Sequence, residues 1–259
     1  MNAADVRELL VVASDIAADA AETVLEGYRS HPAADEKARS DLVTTYDLDS
    51  ETLIRSRLAR ETPDIAIVAE EHGGTPSGHT WYVDPLDGTT NFVHGHPFFA
   101  VSIGLMEGMN PLAGVVVAPA LGLTFWGGPG MGAFRNGAPC TVSSVIDLPK
   151  ALLATGFPPN RDASPDNNFD TFERVKRRVQ GIRRCGSAAI DCCFVADGTY
   201  DGYWERALHA WDLAAGCAIA LGAGARLTSL DGAAADLTVG HVVLSNGRIH
   251  DALVGLTSG

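Results

Sequence analysis

Between positions 3 and 30 the residues Val6, Leu9, Leu10, Ala13, Ile16, Ala17, Ala20, Val24 and Leu25 recur every three or four places. That is the period of a helix with one buried face, and it predicts a long amphipathic helix. After a polar stretch, Leu48, Leu53, Ile54 and Leu58 repeat the spacing and predict a second helix to about Arg60, with Pro63 beyond its end. The period then shortens. Ile65–Ala69 and Thr80–Val83 are compact apolar runs that read as strands, and both run out into acids, Glu70-Glu71 and Asp84-Pro85-Leu86-Asp87. Phe98–Met106, Leu112–Ala118 and Leu123–Trp126 predict neighbouring strands, and Asn136-Gly137 a tight turn. Gly108–Phe134 has no charged residue, but Pro111, Pro119 and Pro129 argue against a membrane span and for buried strands joined by a turn.

Residues 1–148 thus read as a lobe of helices followed by a largely antiparallel sheet. Over 149–259 the pattern alternates: strand Ala151–Thr155, helix Phe169–Val179, a strand at Ile182, helix Ala188–Ala196, strand Gly202–Trp204 and helix Asp212–Leu221. This predicts an α/β second lobe. No repeat or long linker separates the two.

A chain of 259 residues with 46% hydrophobic and 20% charged positions can bury a substantial core. Nineteen basic against 32 acidic residues give a net charge of −13, which argues against direct nucleic-acid binding and requires local cations for any anionic substrate. Cys140, Cys185, Cys192, Cys193 and Cys217 have no CxxC spacing, so neither a disulfide framework nor a zinc site is expected. Asp5, Glu8, Asp15 and Asp19 interrupt the first twenty positions, unlike a signal peptide. A cytoplasmic protein without membrane association is the expectation.

The most informative stretch is Trp81–Phe92. Asp84 and Asp87 straddle a strand exit where Pro85 fixes one φ, so their carboxylates can converge on one point. Converging carboxylates repel unless a cation lies between them, and oxygen donors without Cys or His suit Mg²⁺. Gly88-Thr89-Thr90 follows and would open a helix or turn whose amides face an anion, a phosphate seat beside a metal seat. Glu70-Glu71 and Asp212 would complete the ligand set. Each also has a plain reading: an Asx-type turn for Asp84 and Asp87, a solvated strand end for Glu70-Glu71, a helix cap for Asp212.

Taken together, Asp41–Asp47, Glu70-Glu71, Asp84–Phe92, Gly186–Ala189 and Trp211–Gly216 resemble, in order and over nearly the whole chain, the signatures of the inositol monophosphatase superfamily of Mg²⁺-dependent, lithium-sensitive phosphatases. The resemblance implies a layered αβαβα sandwich of the inositol monophosphatase and fructose-1,6-bisphosphatase type, and a homodimer. It implies two to three Mg²⁺ ions per site, held by Glu70, Asp84, the Leu86 carbonyl, Asp87 and Asp212, with Asp84 bridging two and Glu70 facing a weaker third. The Gly88 and Thr89 amides would hold the phosphate. Glu205, Ser187 and Ala188 would line the substrate wall with Asp87. Ala69 stands where many relatives carry Gly, Asp191 where some animal members carry Asn, and Lys37 falls in the region of the family's active-site loop.

The mechanism expected on this basis is attack by a water that one Mg²⁺ activates and that Glu70 and Thr89 orient, a second Mg²⁺ steadying the leaving oxygen. Thr44 and Asp47 would fix Thr89 by hydrogen bonds, or serve simply as a helix N-cap. Glu205 favours a polyol or sugar over a nucleotide. Inositol 1-phosphate or a similar small phosphate is the expected substrate. Histidinol phosphate, fructose 1,6-bisphosphate, 3′-phosphoadenosine 5′-phosphate and NADP are alternatives on the same fold. A protein-binding role in transcription complexes is a reading of another class. His94, His96, His209 and the cysteines receive no role, and Arg183-Arg184 would face either a substrate anion or a dimer partner.

Overall fold

The computed structural model describes residues 2–30, 32–38, 41–164 and 166–258, with the side chains of Ala38 and Asp41 outside the description. The chain opens with α1 (Ala3–Gly27), closed by a capping box between Asn2 and Asp5. An antiparallel hairpin, β1 (Asp35–Ala38) with β2 (Asp41–Val43), stands where the pattern offered only a polar stretch. Strands of four and three residues, the first mostly charged, carry no period that a sequence reading can detect. α2 (Thr45–Glu61) begins ahead of Leu48 because Thr44 and Asp47 form its capping box.

β3 (Ala66–Ala69) and β4 (His79–Asp87) lead to the short α3 (Thr89–Val93), then β5 (Ala100–Glu107), β6 (Asn110–Ala118), β7 (Leu123–Gly128), β8 (Gly132–Arg135) and β9 (Ala138–Cys140). These seven strands form one sheet in chain order, with β3 and β4 parallel and all later neighbours antiparallel. The uncharged stretch becomes β6, β7 and most of β8. Asn136 and Gly137 take φ of 49° and 80°, the left-handed pair that a two-residue hairpin turn needs.

The second half follows as β10 (Leu152–Thr155), α4 (Phe169–Lys176), β11 (Gly181–Arg183), α5 (Ala188–Ala196), β12 (Gly202–Glu205), α6 (Ala210–Gly222), β13 (Arg226–Thr228), β14 (Val242–Ser245) and α7 (His250–Thr257). Its sheet has the order β11-β10-β12-β14-β13. β10 runs parallel to β11 and β12, as alternation predicts, but β14 runs antiparallel to both neighbours. The second sheet is therefore mixed, with antiparallel pairs at β12–β14 and β14–β13 beside the parallel trio. After α6 the chain returns through short strands without the helical crossovers that parallel pairing requires.

Helices α1 and α2 cover the outer face of the first sheet, α5 and α6 fill the space between the sheets, and α4 with α7 cover the second. The result is the layered αβαβα order. α6 lies nearly flush on the first sheet: a Cβ added to Gly104 or Gly114 would meet Ala215 backbone at 2.4 Å. α5 is equally close to α6, since a Cβ on Gly216 would lie 2.6 Å from Cys192 Cβ. The starts of α5 and α6 face the exits of β3 and β4: Ser187 Oγ and the Ala189 amide donate to Asp87, and Asp212 lies close enough to Glu70 to raise its carboxyl. Opposite them are the exits of the parallel trio β11, β10 and β12. Carboxyl ends of parallel strands are where open α/β sheets gather ligands. Among the described residues, no helix is long and apolar enough to cross a membrane.

Candidate active site

The exit of β4 is built around a bulge. Asp84 pairs with Ser102 and Asp87 with Ala100, so one strand spends an extra residue between the two pairs. In an unbroken strand, residues three apart point to opposite faces; the added residue removes that alternation. Asp84 and Asp87 then lie close enough that Asp87 helps raise the Asp84 carboxyl. Asp84 Oδ1 accepts the Leu86 amide at 3.0 Å, and Ser50 of α2 donates to the Pro85 carbonyl at 2.9 Å. Gly88 comes next with φ of 95°, where an added Cβ would meet the Phe98 carbonyl at 2.9 Å. Glycine alone fits that step into α3.

Each remaining acid arrives on its own element. Glu70 follows β3, and its amide donates to the Val83 carbonyl at 3.1 Å. Asp212 lies in the first turn of α6, which starts at Ala210, two residues before the start that the pattern gave, and Asp212 Oδ2 accepts the His209 amide at 2.7 Å. Asp87 Oδ2 accepts from Ser187 Oγ at 2.6 Å and from the Ala189 amide at 2.7 Å, which ties it to the start of α5. Glu70, Asp87, Ser187, Ala188, Glu205 and Asp212 line one cavity of about 440 Å³. Asp84 and Leu86 are buried behind them.

Thr44 and Asp47 are both a helix cap and a brace. Asp47 Oδ2 accepts from the Thr44 amide and hydroxyl at 2.8 and 2.6 Å, while Thr89 Oγ1 donates to Asp47 Oδ1 at 2.9 Å and to the Leu86 carbonyl at 3.1 Å. The two readings left open by the sequence are one structure. Thr44→Ala is expected to cost about 1 kcal/mol of stability, as for other caps. It should also lower kcat by freeing Asp47, which thermal unfolding and steady-state kinetics would measure together.

Electrostatics single out the same residues. Burial pushes the Glu70 carboxyl up to about 7, against the pull of Lys37 and with added repulsion from Asp212 and Glu71. Asp87 also rises to about 7, through burial and the nearness of Asp212, opposed by its bonds to Ser187 and α5. Asp84 stands well above the ordinary range, driven by burial and then by Glu70, Asp87 and Asp212. Lys37 places Nζ 2.8 Å from both Glu70 Oε1 and Glu71 Oε1. Burial works against its charge, but the two acids outweigh that and hold the ammonium protonated.

Among the described residues, no three acids, histidines or cysteines are drawn into a coordination sphere as they stand. The chemistry of the donors nonetheless fits a hard divalent cation: four carboxylates from three stretches of chain, with a backbone carbonyl nearby and no thiol among them. Three of the four are raised by burial and mutual repulsion, a penalty that positive charge removes.

Across the cavity, Glu205 leaves β12. Tyr203 Oη donates to its Oε2 at 2.5 Å, and burial raises the carboxyl to about 7 despite Tyr203 and Arg184. The carboxylate has room because residue 156 is glycine; a Cβ there would lie 2.0 Å from Glu205 Oε1. Asp191, also buried, has an Oδ1 without a hydrogen-bond partner and is raised by burial, then by Glu205 and Asp87. His209 stacks on Trp211 with centroids 4.5 Å apart.

Three residues escaped the sequence reading. Buried Glu51 of α2 accepts the Glu71 and His72 amides at 2.7 and 2.9 Å and so shapes the turn that presents Glu70. Asn91 donates to the Phe98 and Cys185 carbonyls at 2.7 and 2.8 Å, fastening α3 to the loop before α5. Tyr203 holds Glu205. Asn91 stood within a recognised signature, but neither Glu51 nor Tyr203 carried a local signal.

A sequence model described as the inositol monophosphatase family matches residues 5–258. An inositol-1-monophosphatase of Synechocystis sp. is 43% identical over 222 residues, covering 84% of this chain and 77% of that protein. A fructose-1,6-bisphosphatase/inositol-1-monophosphatase of Aquifex aeolicus is 35% identical over 222 residues, covering 85% and 83%. The solved inositol monophosphatase of Anabaena (Nostoc) sp. superposes with a TM-score of 0.89 at 36% identity, over 97% of this chain and 96% of that one.

Proposed function

The chain belongs to the inositol monophosphatase family and is a phosphoric monoester hydrolase of that kind, and on that premise we propose that it is a Mg²⁺-dependent enzyme acting on inositol 1-phosphate or a similar small polyol or sugar phosphate. The observation that carries this reading is the bulge at the end of β4, which turns Asp84 and Asp87 together beside Glu70 and Asp212 and runs on into the Gly88–Thr89 amides. Two to three Mg²⁺ ions would be held by Glu70, Asp84, the Leu86 carbonyl, Asp87 and Asp212. When bound, such ions offset the charge of the phosphoryl oxygens and lower the pKa of an attacking water.

The protein's own groups do the rest. Glu70 and the Thr89 hydroxyl orient the water for in-line attack, and the Asp47 brace keeps that hydroxyl aimed. The Gly88 and Thr89 amides hold the phosphate. Asp87 is kept in place by Ser187 and the start of α5, so its carboxylate does not swing away when the substrate enters.

On the substrate wall, Glu205 has one oxygen taken by Tyr203 and the other turned toward Gly156 and the cavity. It accepts hydrogen bonds from neighbouring hydroxyls of the alcohol. Glu205→Gln is expected to reduce kcat/KM for inositol 1-phosphate about 10- to 100-fold, the worth of hydrogen bonds to a charged acceptor. A phosphate ester without neighbouring hydroxyls should lose far less. Equal losses on both would remove Glu205 from the substrate wall.

The proposal as a whole is tested by phosphate release from inositol 1-phosphate, glycerol 2-phosphate and fructose 1,6-bisphosphate, each with millimolar Mg²⁺ and with EDTA. Release that EDTA abolishes and Mg²⁺ restores is the expected result. Turnover indifferent to EDTA would refute the metal dependence.

A further inference from the structure

Between Glu205 at the end of β12 and Asp212 in the first turn of α6, the chain makes a short excursion that forms one wall of the cavity: Ala207, Leu208 and His209 all line it. Ala207 stands there at φ of 55°, in the left-handed region that a methyl side chain disfavours. Arg29, Asn136 and Asn168 also take positive φ, but none of them lines this cavity. A residue keeps such a conformation only where its surroundings impose it.

Here the surroundings are a set of polar contacts from three directions. The Ala207 amide donates to His241 Nδ1 at 3.3 Å, and the Leu208 amide to the Gly240 carbonyl at 3.1 Å. Gly240 lies so close under the turn that an added Cβ would meet the Leu208 carbonyl oxygen at 1.8 Å. A neutral imidazole that accepts at Nδ1 carries its proton on Nε2, and Nε2 lies 3.3 Å from Asp166 Oδ2. The other oxygen of Asp166 accepts from Arg206 Nη1 at 2.6 Å. Arg206 Nη2 in turn donates to Thr171 Oγ1 of α4 at 3.3 Å and to the Thr257 carbonyl of α7 at 3.1 Å.

Asp166 belongs to the loop between β10 and α4, which also supplies Gly156, Phe157 and Pro159 to the cavity. One carboxylate thus ties two walls together. His241 immediately precedes β14, whose first residue, Val242, pairs with Glu205, so the ring is anchored on the strand pair that carries the substrate-wall acid. Without the ring and the carboxylate, Ala207 would be free to relax toward right-handed backbone, carrying Leu208 and His209 with it.

We propose that Asp166 and His241 are positioning residues for the phosphatase reaction: with Arg206 they clasp the segment 206–209 against the loop after β10 and hold the polyol-binding wall beside Glu205 in a single shape. This rests on the phosphatase reading above and on the place it gives Glu205. Neither residue touches the substrate; each acts through the backbone of the wall. If release of the clasp leaves the wall ordered about one-tenth of the time, KM for a polyol ester rises about tenfold.

The test measures kcat and KM for inositol 1-phosphate and for 4-nitrophenyl phosphate, an ester without neighbouring hydroxyls. The proteins are the wild type, His241→Leu, His241→Asn, Asp166→Ala, Glu205→Gln and the Glu205→Gln/His241→Leu double variant, all with Mg²⁺. The inositol-to-nitrophenyl ratio of kcat/KM is expected to fall about tenfold in His241→Leu and in Asp166→Ala, through KM. His241→Asn should recover most of the loss, since its Oδ1 can accept the Ala207 amide. In the Glu205→Gln background, His241→Leu should lower the ratio by less than about twofold more, because both act on one wall. An unchanged ratio in His241→Leu beside a fallen ratio in Glu205→Gln would overturn the clasp and leave the wall reading standing. Equal losses on both esters with a lower Tm would make the two residues merely structural and overturn it likewise, as would full additivity in the double variant. His241→Asn and Asp166→Ala keep the test open if His241→Leu does not fold. Equal losses on both esters in Glu205→Gln would instead refute the wall reading, and absence of phosphate release from either ester in the wild-type protein the phosphatase reading itself.

Discussion

Replacing Asp84 by Asn is expected to cut kcat/KM on any phosphate ester by at least about 30- to 1000-fold, and at the same time to make the metal-free protein more stable. The loss corresponds to about 2–4 kcal/mol of transition-state stabilisation, the range for deleting one electrostatic group from a preorganised site. The gain has a separate origin. Asp84 is buried, and Glu70, Asp87 and Asp212 all disfavour its ionised form. An amide of the same shape keeps the carbonyl oxygen that accepts the Leu86 amide and discards the charge. Thermal unfolding in EDTA and phosphate release in Mg²⁺ measure the two effects on one preparation. An Asp84→Asn protein that is less stable in EDTA than the wild type would show the acid to be an ordinary structural hydrogen-bonding group. A loss below about tenfold in kcat/KM would take it out of the reaction.

The opposed signs also explain why this part of the molecule was legible in the sequence. A run such as Asp84-Pro85-Leu86-Asp87-Gly88 works against folding: it buries two acids at a strand exit, breaks the pairing register and requires a left-handed residue. Local features that conflict with stability tend to mark function. The long helix α1 and the strands β5–β7 were readable for the opposite reason, because a strong period matches one buried face or a wholly buried strand. What escaped lacks both signals. The β1–β2 hairpin is short and polar. β14 owes its place to pairing with β12, β13 to pairing with β14, and α7 to packing on the second sheet, contacts that no local window contains. Glu51 and Tyr203 act on Glu70 and Glu205 through contacts made only after the chain has folded. Arg183 and Arg184 were read together as facing a substrate anion or a dimer partner, and the pattern could not separate them; in the fold Arg184 lines the cavity that holds the acids and Arg183 does not.

The same buried acids set how the protein should respond to pH. Glu70, Asp87 and Glu205 are each raised to about 7, and Asp84 and Asp191 stand well above the carboxylate range. In the unfolded chain these groups titrate near pH 4. From about pH 4 to pH 7, therefore, the folded state holds protons that the unfolded state has released, and stability must fall as pH rises. Beyond about pH 7 the slope should flatten as Glu70, Asp87 and Glu205 ionise, with Asp84 and Asp191 still contributing. In EDTA the Tm is expected to drop on the order of 10 °C between about pH 5 and pH 8. Mg²⁺ should act in the reverse sense. A cation among Glu70, Asp84 and Asp87 binds their ionised forms and competes with protons, so it stabilises little at pH 5 and strongly at pH 8. Thermal scans at both pH values, with EDTA and with millimolar Mg²⁺, yield four Tm values whose cross-difference isolates the coupling. A Mg²⁺ shift equal at the two pH values would mean that the ion binds away from these acids. A metal-free Tm that rises between pH 5 and pH 8 would mean that the acids are ionised in the folded protein at neutral pH, paired with cations of the chain itself such as Lys37.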